Sequence, residues 1–153
     1  MAVYLSQHGK SASKDIDPKR GLTEAGAKEV KYVASLLQQR DIHVAGIRHS
    51  GKDRAQQTAD IFAKALNPEK GLVVSEGMDP LDDVAVFATQ LDASEDQMYV
   101  GHLPFMQRLV SYLIVDDPER PVVEFNNGGV VCLDYDQGNN CWIIKWVIVP
   151  HIQ

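Results

Sequence analysis

Two apolar rhythms alternate along the first two thirds of this 153-residue chain. The short run Ala2-Val3-Tyr4-Leu5 predicts a first strand over Ala2 to Ser6, and a polar loop with Lys10, Lys14, Lys19 and Arg20 follows it. Thr23 is a suitable helix cap. From there to about Arg40, the apolar positions Val30, Val33, Ala34 and Leu37 recur at the i, i+3, i+4, i+7 spacing of an amphipathic helix. His43 to Ile47 reads as a second short strand. Asp53 to Leu66 reads as a second helix with Ala55, Ala59, Phe62, Ala63 and Leu66 inward, closed by Asn67-Pro68.

Beyond residue 70 the rhythm shortens. Leu72 to Ser75 fits a short strand, Asp82-Asp83 can cap a helix running to about Leu91, and the run Gln97 to Val100 predicts a strand ending at Gly101. Pro104 is tolerated at a first helical position, so a further helix extends from it to about Val115. Three strands follow: Val122 to Phe125, Val130 to Tyr135 and Cys141 to Val149. Strict alternation places Trp142, Ile144, Trp146 and Ile148 on one face of the last strand, with Cys141, Ile143 and Val147 on the other. Both faces are then apolar, as in a sheet covered by helices on both sides. The expected fold class is α/β: a three-layer α/β/α sandwich with a mixed, mostly parallel sheet and a C-terminal antiparallel hairpin, residues 1–153 forming a single domain.

Composition agrees with an ordinary globular chain: 44% hydrophobic and 24% charged residues, enough to bury a core without a disulfide or structural metal. The formal net charge of −6 argues against nucleic acid as the main partner, because binding a phosphate backbone calls for a basic surface. No basic region precedes the apolar start, and no stretch approaches the roughly 18 apolar residues of a membrane span, so no membrane partner is expected and the expected location is cytoplasmic. A turn centred on Asp136 to Asn140 pairs Cys132 with a residue near Lys145, which leaves Cys132 and Cys141 unbonded to each other and suits a reducing compartment.

Candidate chemistry lies at the strand ends. Gln7-His8-Gly9 follows the first strand, and the glycine is expected to let backbone approach a ligand closely. A second strand ends in Gly101-His102-Leu103-Pro104, and Ser50-Gly51-Lys52-Asp53-Arg54 opens the second helix between them. In an open α/β sheet the ligand crevice lies beyond the carboxyl ends of the strands, so these three segments are expected to face one another. Two imidazoles and a guanidinium suit a phosphoryl group. A neutral imidazole, His8, can attack phosphorus to form a covalent phosphohistidine, while Arg54 and a protonated His102 neutralise the charge that develops. No cysteine or histidine spacing suggests a metal, and no cofactor is expected. His43 and His151 stand outside any motif and read as structural or surface residues; His49 is a candidate for the pocket rim.

Taken together the motifs resemble the histidine phosphatase, or phosphoglycerate mutase-like, superfamily. That family's signature is Arg-His-Gly after the first strand, Arg-Ala-x-Gln-Thr at a helix start and a later Gly/Ser-His. Here these stand as Gln7-His8-Gly9, Arg54-Ala55-Gln56-Gln57-Thr58 and Gly101-His102. Leu22-Thr23-Glu24-Ala25-Gly26 resembles its Leu-Thr-x-x-Gly, and Phe125 to Gly129 matches its last active-site loop in position. Length, the Leu-Pro after His102 and the lack of a large lid insertion are most similar to SixA-type phosphohistidine phosphatases. The resemblance implies His8 as the phosphorylated nucleophile, Arg54 and His102 as phosphate clamps, no metal, and Gln7, Gly9, Ser50 and Asn127 as substrate-binding positions.

Two departures bear on activity. Gln7 replaces the family's arginine, removing a charge and a guanidinium fork, with Lys10, Arg20, Arg48, His49 or Lys52 as candidates to compensate. Pro80 aligns at or beside the glutamate that many family members use as general acid, leaving Asp79 as the substitute donor and Asp83 second. An imidazole leaving group needs that acid less than an alkoxide does. The expected function is therefore phosphohistidine hydrolysis on a signalling or phosphotransfer protein. The alternatives are a pseudophosphatase that binds phosphorylated partners and a phosphomonoesterase acting on a small phosphate ester.

Overall fold

The computed structural model describes residues 1–151. Its elements are β1 (Val3–Gln7), α1 (Glu24–Gln39), β2 (Gly46–His49), α2 (Asp53–Leu66), β3 (Leu72–Val74), α3 (Val84–Ala88), a 3-10 turn (Ala93–Glu95), β4 (Gln97–Gly101), α4 (Phe105–Val115), β5 (Val130–Asp136) and β6 (Cys141–Ile148). The strands form one sheet in the order β3-β2-β4-β1-β5-β6. The first four lie parallel; β5 runs antiparallel to β1, and β6 antiparallel to β5.

Alternation along the central strands divides the core in two. Tyr4, Ile47, Met98 and Val100 face α1 and α2, meeting Val30, Val33, Leu37, Ala59 and Phe62. Val3, Leu5, Tyr99 and Val131 face the other way, onto Phe87 of α3 and Phe105, Met106 and Leu109 of α4. The result is the expected three-layer sandwich. Phe62 and Phe105 are completely buried, and truncating either to alanine would cost about 3–5 kcal/mol. Thr23 caps α1 as its sequence position suggests, its hydroxyl accepting from Gly26 N at 2.9 Å, a contact worth about 1 kcal/mol.

Several expected elements move. Val122 to Phe125 is not a strand: it pairs with none of the six strands, and Val123 and Phe125 pack into the α3/α4 core instead. β2 begins at Gly46 and runs on to His49, because pairing with β4 sets its span and polar Arg48 and His49 hide it from an apolar pattern. His43 lies outside the sheet, between Asp96 (3.2 Å) and Glu69 (3.2 Å). α3 ends at Ala88, short of Leu91, with Asp83 capping it through Ala85 N and Val86 N.

The largest correction concerns β6. A register shift between Cys132 and Leu133 pairs them with Trp146 and Ile144, leaving Lys145 as an extra residue. Such a bulge reverses the alternation. Trp146 and Ile148 therefore join the α1/α2 core while Trp142 and Ile144 join the α3/α4 core, so the four do not share a face. Nor are both faces covered at this edge: Ile143 and Val147 are exposed. Cys132 opposes Trp146, one residue from the expected partner, and both cysteines are free. Among the described residues no helix is long and apolar enough to cross a membrane.

Candidate active site

Parallel pairing of β1 with β4 ends at Gln7 opposite Gly101, and His8 N donates to Gly101 O at 3.0 Å. The next residue of each strand is a histidine. His8 and His102 thus leave the sheet side by side, with ring centroids 5.1 Å apart. The winding also reverses here, since β1 leads through α1 to β2 on one side and β4 leads through α4 to β5 on the other. Crevices at such switch points are where open α/β sheets hold ligands. A cleft of about 590 Å³ opens there, lined by Gln7, His8, Lys10, Arg20, Arg54, Pro80, His102 and Asn127 among others. A larger hollow of about 730 Å³ at the amino ends of β1 and β4 is lined by Asp92, Glu95 and Asp134 with no cationic side chain, which suits no anion.

His8 is held by its own loop. Nδ1 lies 2.7 Å from the Gly9 carbonyl, which can only accept, so Nδ1 carries the proton and Nε2 presents a lone pair. Burial lowers its pKa to about 4, and the charges of Arg54 and Arg20 push the same way, so the ring is neutral near pH 7. Asn127 Nδ2 donates to His8 O at 3.0 Å, and Gly128 N donates to Gln7 O at 2.9 Å; the loop before β5 thereby fixes the end of β1.

His102 is almost fully buried, and its Nε2 shares a 2.5 Å hydrogen bond with Ser50 Oγ. Burial first, then His8 and Arg54, lower its pKa to about 3. Burial and the positive charges of Arg54, Lys52 and Arg20 thus favour the neutral ring in the protein alone, whereas the sequence reading expects a protonated His102 at the reacting phosphoryl group. Arg54, in the first turn of α2, leaves its Nε buried without a partner, and burial and Arg20 both lower its pKa. Among the described residues, none of the ion pairs involves Arg20 or Arg54. Uncompensated positive charge gathered in one concave place is the electrostatics of an anion site.

Arg20 reaches the cleft from a tightly fastened loop. Its backbone sits in the left-handed region at φ 53. The Asp17 carboxylate accepts from Lys19 N (3.0 Å) and Gly21 N (2.9 Å), Ala12 N donates to Gly21 O (2.9 Å), and Leu22 N donates to Gln57 Oε1 (2.7 Å). Lys10 also lines the cleft while pairing with Glu29 at 3.3 Å. Gln7 lines it too, with its Oε1 buried and unpartnered.

Other expected positions sit differently. Asp79 is on the rim, its side chain 62% exposed and its carboxylate 3.9 Å from Lys52 Nζ, and the cleft wall at that point is Pro80. Asp83 is the α3 cap. His49 is buried beneath the Ser50 loop, accepting from Gly51 N at 3.1 Å. Gly9 has a packing reason rather than a ligand-clearance one: a Cβ there would stand 2.8 Å from Val30 Cγ2 and 3.2 Å from Gly26 O, and its amide donates to Thr58 Oγ1 at 3.0 Å. Thr58 and Gln57 escaped the sequence reading as structural clamps, each tying α2 to the β1–α1 loop. The available signal was spacing, because Arg54 and Thr58, at i and i+4, share a helix face. Among the described residues no group of three or more His, Cys, Asp or Glu side chains is placed to hold a metal.

A doubly wound α/β domain with two switch-point histidines and unpaired arginines defines a phosphate-handling class of protein. No family model matches the chain. It is 36% identical over 113 residues to an uncharacterised protein of Picosynechococcus, spanning 68% of this chain and 67% of that one. Among solved structures, the protein histidine phosphatase SixA complexed with tungstate superposes with a TM-score of 0.83 at 24% identity, covering 98% of this chain and 97% of the other. The protein described as phosphohistidine phosphatase SixA of Agrobacterium tumefaciens gives 0.76 at 28% identity, covering 97% of each. That described as an alpha-ribazole-5'-P phosphatase of Escherichia coli gives 0.74 at 16%, covering 100% and 99%. The chain belongs to the histidine phosphatase superfamily and is a phosphatase of that group.

Proposed function

We propose that this phosphatase hydrolyses phosphohistidine on a signalling or phosphotransfer protein through a covalent intermediate on His8. The observation that carries the reading is the paired strand-end histidines, 5.1 Å apart and facing unpaired Arg54 and Arg20. The lone pair on His8 Nε2 attacks phosphorus. The P–N bond to the substrate imidazole breaks, and that ring departs neutral when its other nitrogen holds a proton. Water then cleaves the phosphohistidine at His8 and releases phosphate. Arg54 and Arg20 neutralise the equatorial oxygens, Gln7, through its amide, and Ser50 bind the phosphoryl group, and His102 gains a proton as the dianion binds and adds its charge.

The choice of phosphohistidine over phosphate esters is supported by the cleft wall, which among the described residues contains no aspartate or glutamate. An alkoxide leaving group would need such an acid. The A. tumefaciens and tungstate-bound relatives, described as SixA phosphatases, favour the same substrate class. Gln7 supports the rival reading, a binder that holds phosphorylated partners without turnover. Incubation with a histidine-phosphorylated protein separates the two: the enzyme releases phosphate and passes through an acid-labile phosphoryl group on His8, both absent in His8→Ala. Unchanged phosphate release by His8→Ala would remove the mechanism, and a stable complex without release would favour the binder.

A further inference from the structure

β3 closes one edge of the sheet with no strand beyond it. Its three residues, Leu72, Val73 and Val74, are 36%, 45% and 60% exposed, so a contiguous apolar strand faces solvent. The other edge is blunted. There β6 carries Lys145 at a bulge, and a charge and a bulge are two of the devices that keep sheet edges from pairing. β3 has neither, and its backbone is set for a partner. Ile47 N donates to Gly71 O at 3.0 Å and Ser75 N donates to His49 O at 2.8 Å, so residues 71, 73 and 75 turn their polar groups towards β2. By the two-residue period of a strand, the N–H and C=O groups of Leu72 and Val74 point out of the sheet.

We propose that β3 pairs antiparallel with β3 of a second copy of this chain, about a two-fold axis through Val73, joining two six-stranded sheets edge to edge. Only an axis there matches both outward residues to each other: Leu72 exchanges two hydrogen bonds with Val74 of the second copy, and Val74 two with its Leu72. The two Val73 residues meet at the axis in a non-hydrogen-bonded pair, where side chains come closest. Leu72 shares the α1/α2 face with its register partner Ile47, so the Leu72–Val74 pairs lie on that face and the Val73 pair on the other. Every apolar side chain of the strand then meets another. The same register brings the Lys70 end of one copy to the Glu76 end of the other, twice. Both residues are exposed and neither is in an ion pair among the described residues, while Glu69 beside Lys70 is engaged by His43 at 3.2 Å. The remaining charges about the strand are Arg48 on β2, Asp60, whose charge reaches His49, and Lys52 paired with Asp79. Arg48, Lys52 and Lys70 nearly balance Asp60, Glu69, Glu76 and Asp79, so two copies of a chain of charge −6 approach here without strong repulsion. A foreign extended peptide would gain the backbone bonds but not these self-matched pairs. The two copies' strands run in opposite directions, so their clefts point to opposite ends of the joined sheet and both stay open.

Sedimentation velocity on the full chain should show single chains at about 2 μM and a dimer that grows in over about 10–500 μM, as suits an interface at the small end of the size range. Across the same series, amide hydrogen exchange should slow at Leu72 and Val74 and stay unchanged at Val73, whose N–H already faces β2. Val73→Lys, which sets two ammonium groups across the axis, should raise the dissociation constant about tenfold or more. Lys70→Glu and Glu76→Lys should each raise it about threefold or more, and the two together should return it to within about twofold of the parent. These side chains are exposed, so each variant should melt with the parent at about 2 μM. A chain that stays single at about 500 μM, amides at Leu72 and Val74 that exchange alike at every concentration, or a dimer indifferent to Val73→Lys would overturn the pairing. A double charge swap that recovers nothing would overturn it equally, because the register would then be wrong.

Discussion

Replacing Arg20 with glutamine should cost more activity than replacing Gln7 with arginine gains. Gln7 and Arg20 line the same cleft, and the positive charge of Arg20 is felt at His8, Arg54 and His102. A charge-assisted contact to a phosphoryl oxygen is worth about 1.5–3 kcal/mol, so Arg20→Gln should lower kcat/KM by about one to two decades. Gln7→Arg alone should change it less than about threefold, because the cleft already holds that charge. In the Arg20→Gln background the same substitution should recover most of the loss, giving a coupling energy of about 1–3 kcal/mol in the double-mutant cycle. Stability should move the opposite way: removing one of several unpaired cations relieves repulsion, so the melting temperature of Arg20→Gln without ligand should hold or rise while tungstate stabilises it less. Phosphate release from a histidine-phosphorylated protein gives the rates, and thermal melts with and without tungstate give the rest. A gain of decades from Gln7→Arg alone, or no loss from Arg20→Gln, would refute the assignment of Arg20 as the compensating cation.

Gly26→Ala should lose about 3 kcal/mol or more and roughly 10 °C of melting temperature, because the added Cβ would stand 2.2 Å from Lys10 O and displace the loop that carries Lys10 and Arg20. Asp79→Asn should leave kcat for phosphohistidine within about threefold, since its carboxylate faces Lys52 at the rim; a loss of decades measured by phosphate release would restore it as the acid. Acid should destabilise the empty protein. His8 and His102 titrate near 4 and 3 when folded but at about 6.5 when unfolded, so the unfolded chain binds more protons between those values. Their contribution is complete above pH 6.5, falls away towards pH 3–4, and amounts to a few kcal/mol for the pair. Urea melts from pH 7.5 to 4 check it, and added phosphate, by raising the folded pKa of His102, should flatten the decline.

Legibility in the sequence followed the physics of each element. α1, α2 and α4 carry long apolar periods that packing reinforces, and β1 and β4 are apolar runs buried on both faces, so pattern and environment agree. The failures arise where pairing decides. Val122 to Phe125 has strand-like residues but spends Val123 and Phe125 on the α3/α4 core, and β6 reads as one unbroken alternation although Lys145 stands outside the ladder. The cleft was legible because His8, Arg54 and His102 lie one residue beyond a strand or within a helix's first turn, where local register alone fixes their direction. Arg20 could be listed but not placed: its position depends on a left-handed residue and on Asp17, Gln57 and Gly21 acting together. Thr58 likewise acts through Gly9, 49 positions away.

The extra residue at Lys145 gives the molecule two separate optical probes. Trp146 sits 5.9 Å from Tyr4 in the α1/α2 half, and Trp142 sits 5.4 Å from Tyr135 on the α3/α4 side. These are the only two tryptophans in the chain. With one replaced by phenylalanine, the emission of the other follows a single layer of the sandwich, so a pair of single-tryptophan proteins can time the collapse of the two helix layers onto the sheet independently. Because the two layers pack on opposite faces of the same central strands, the lag between the two signals reports whether they form together or in turn.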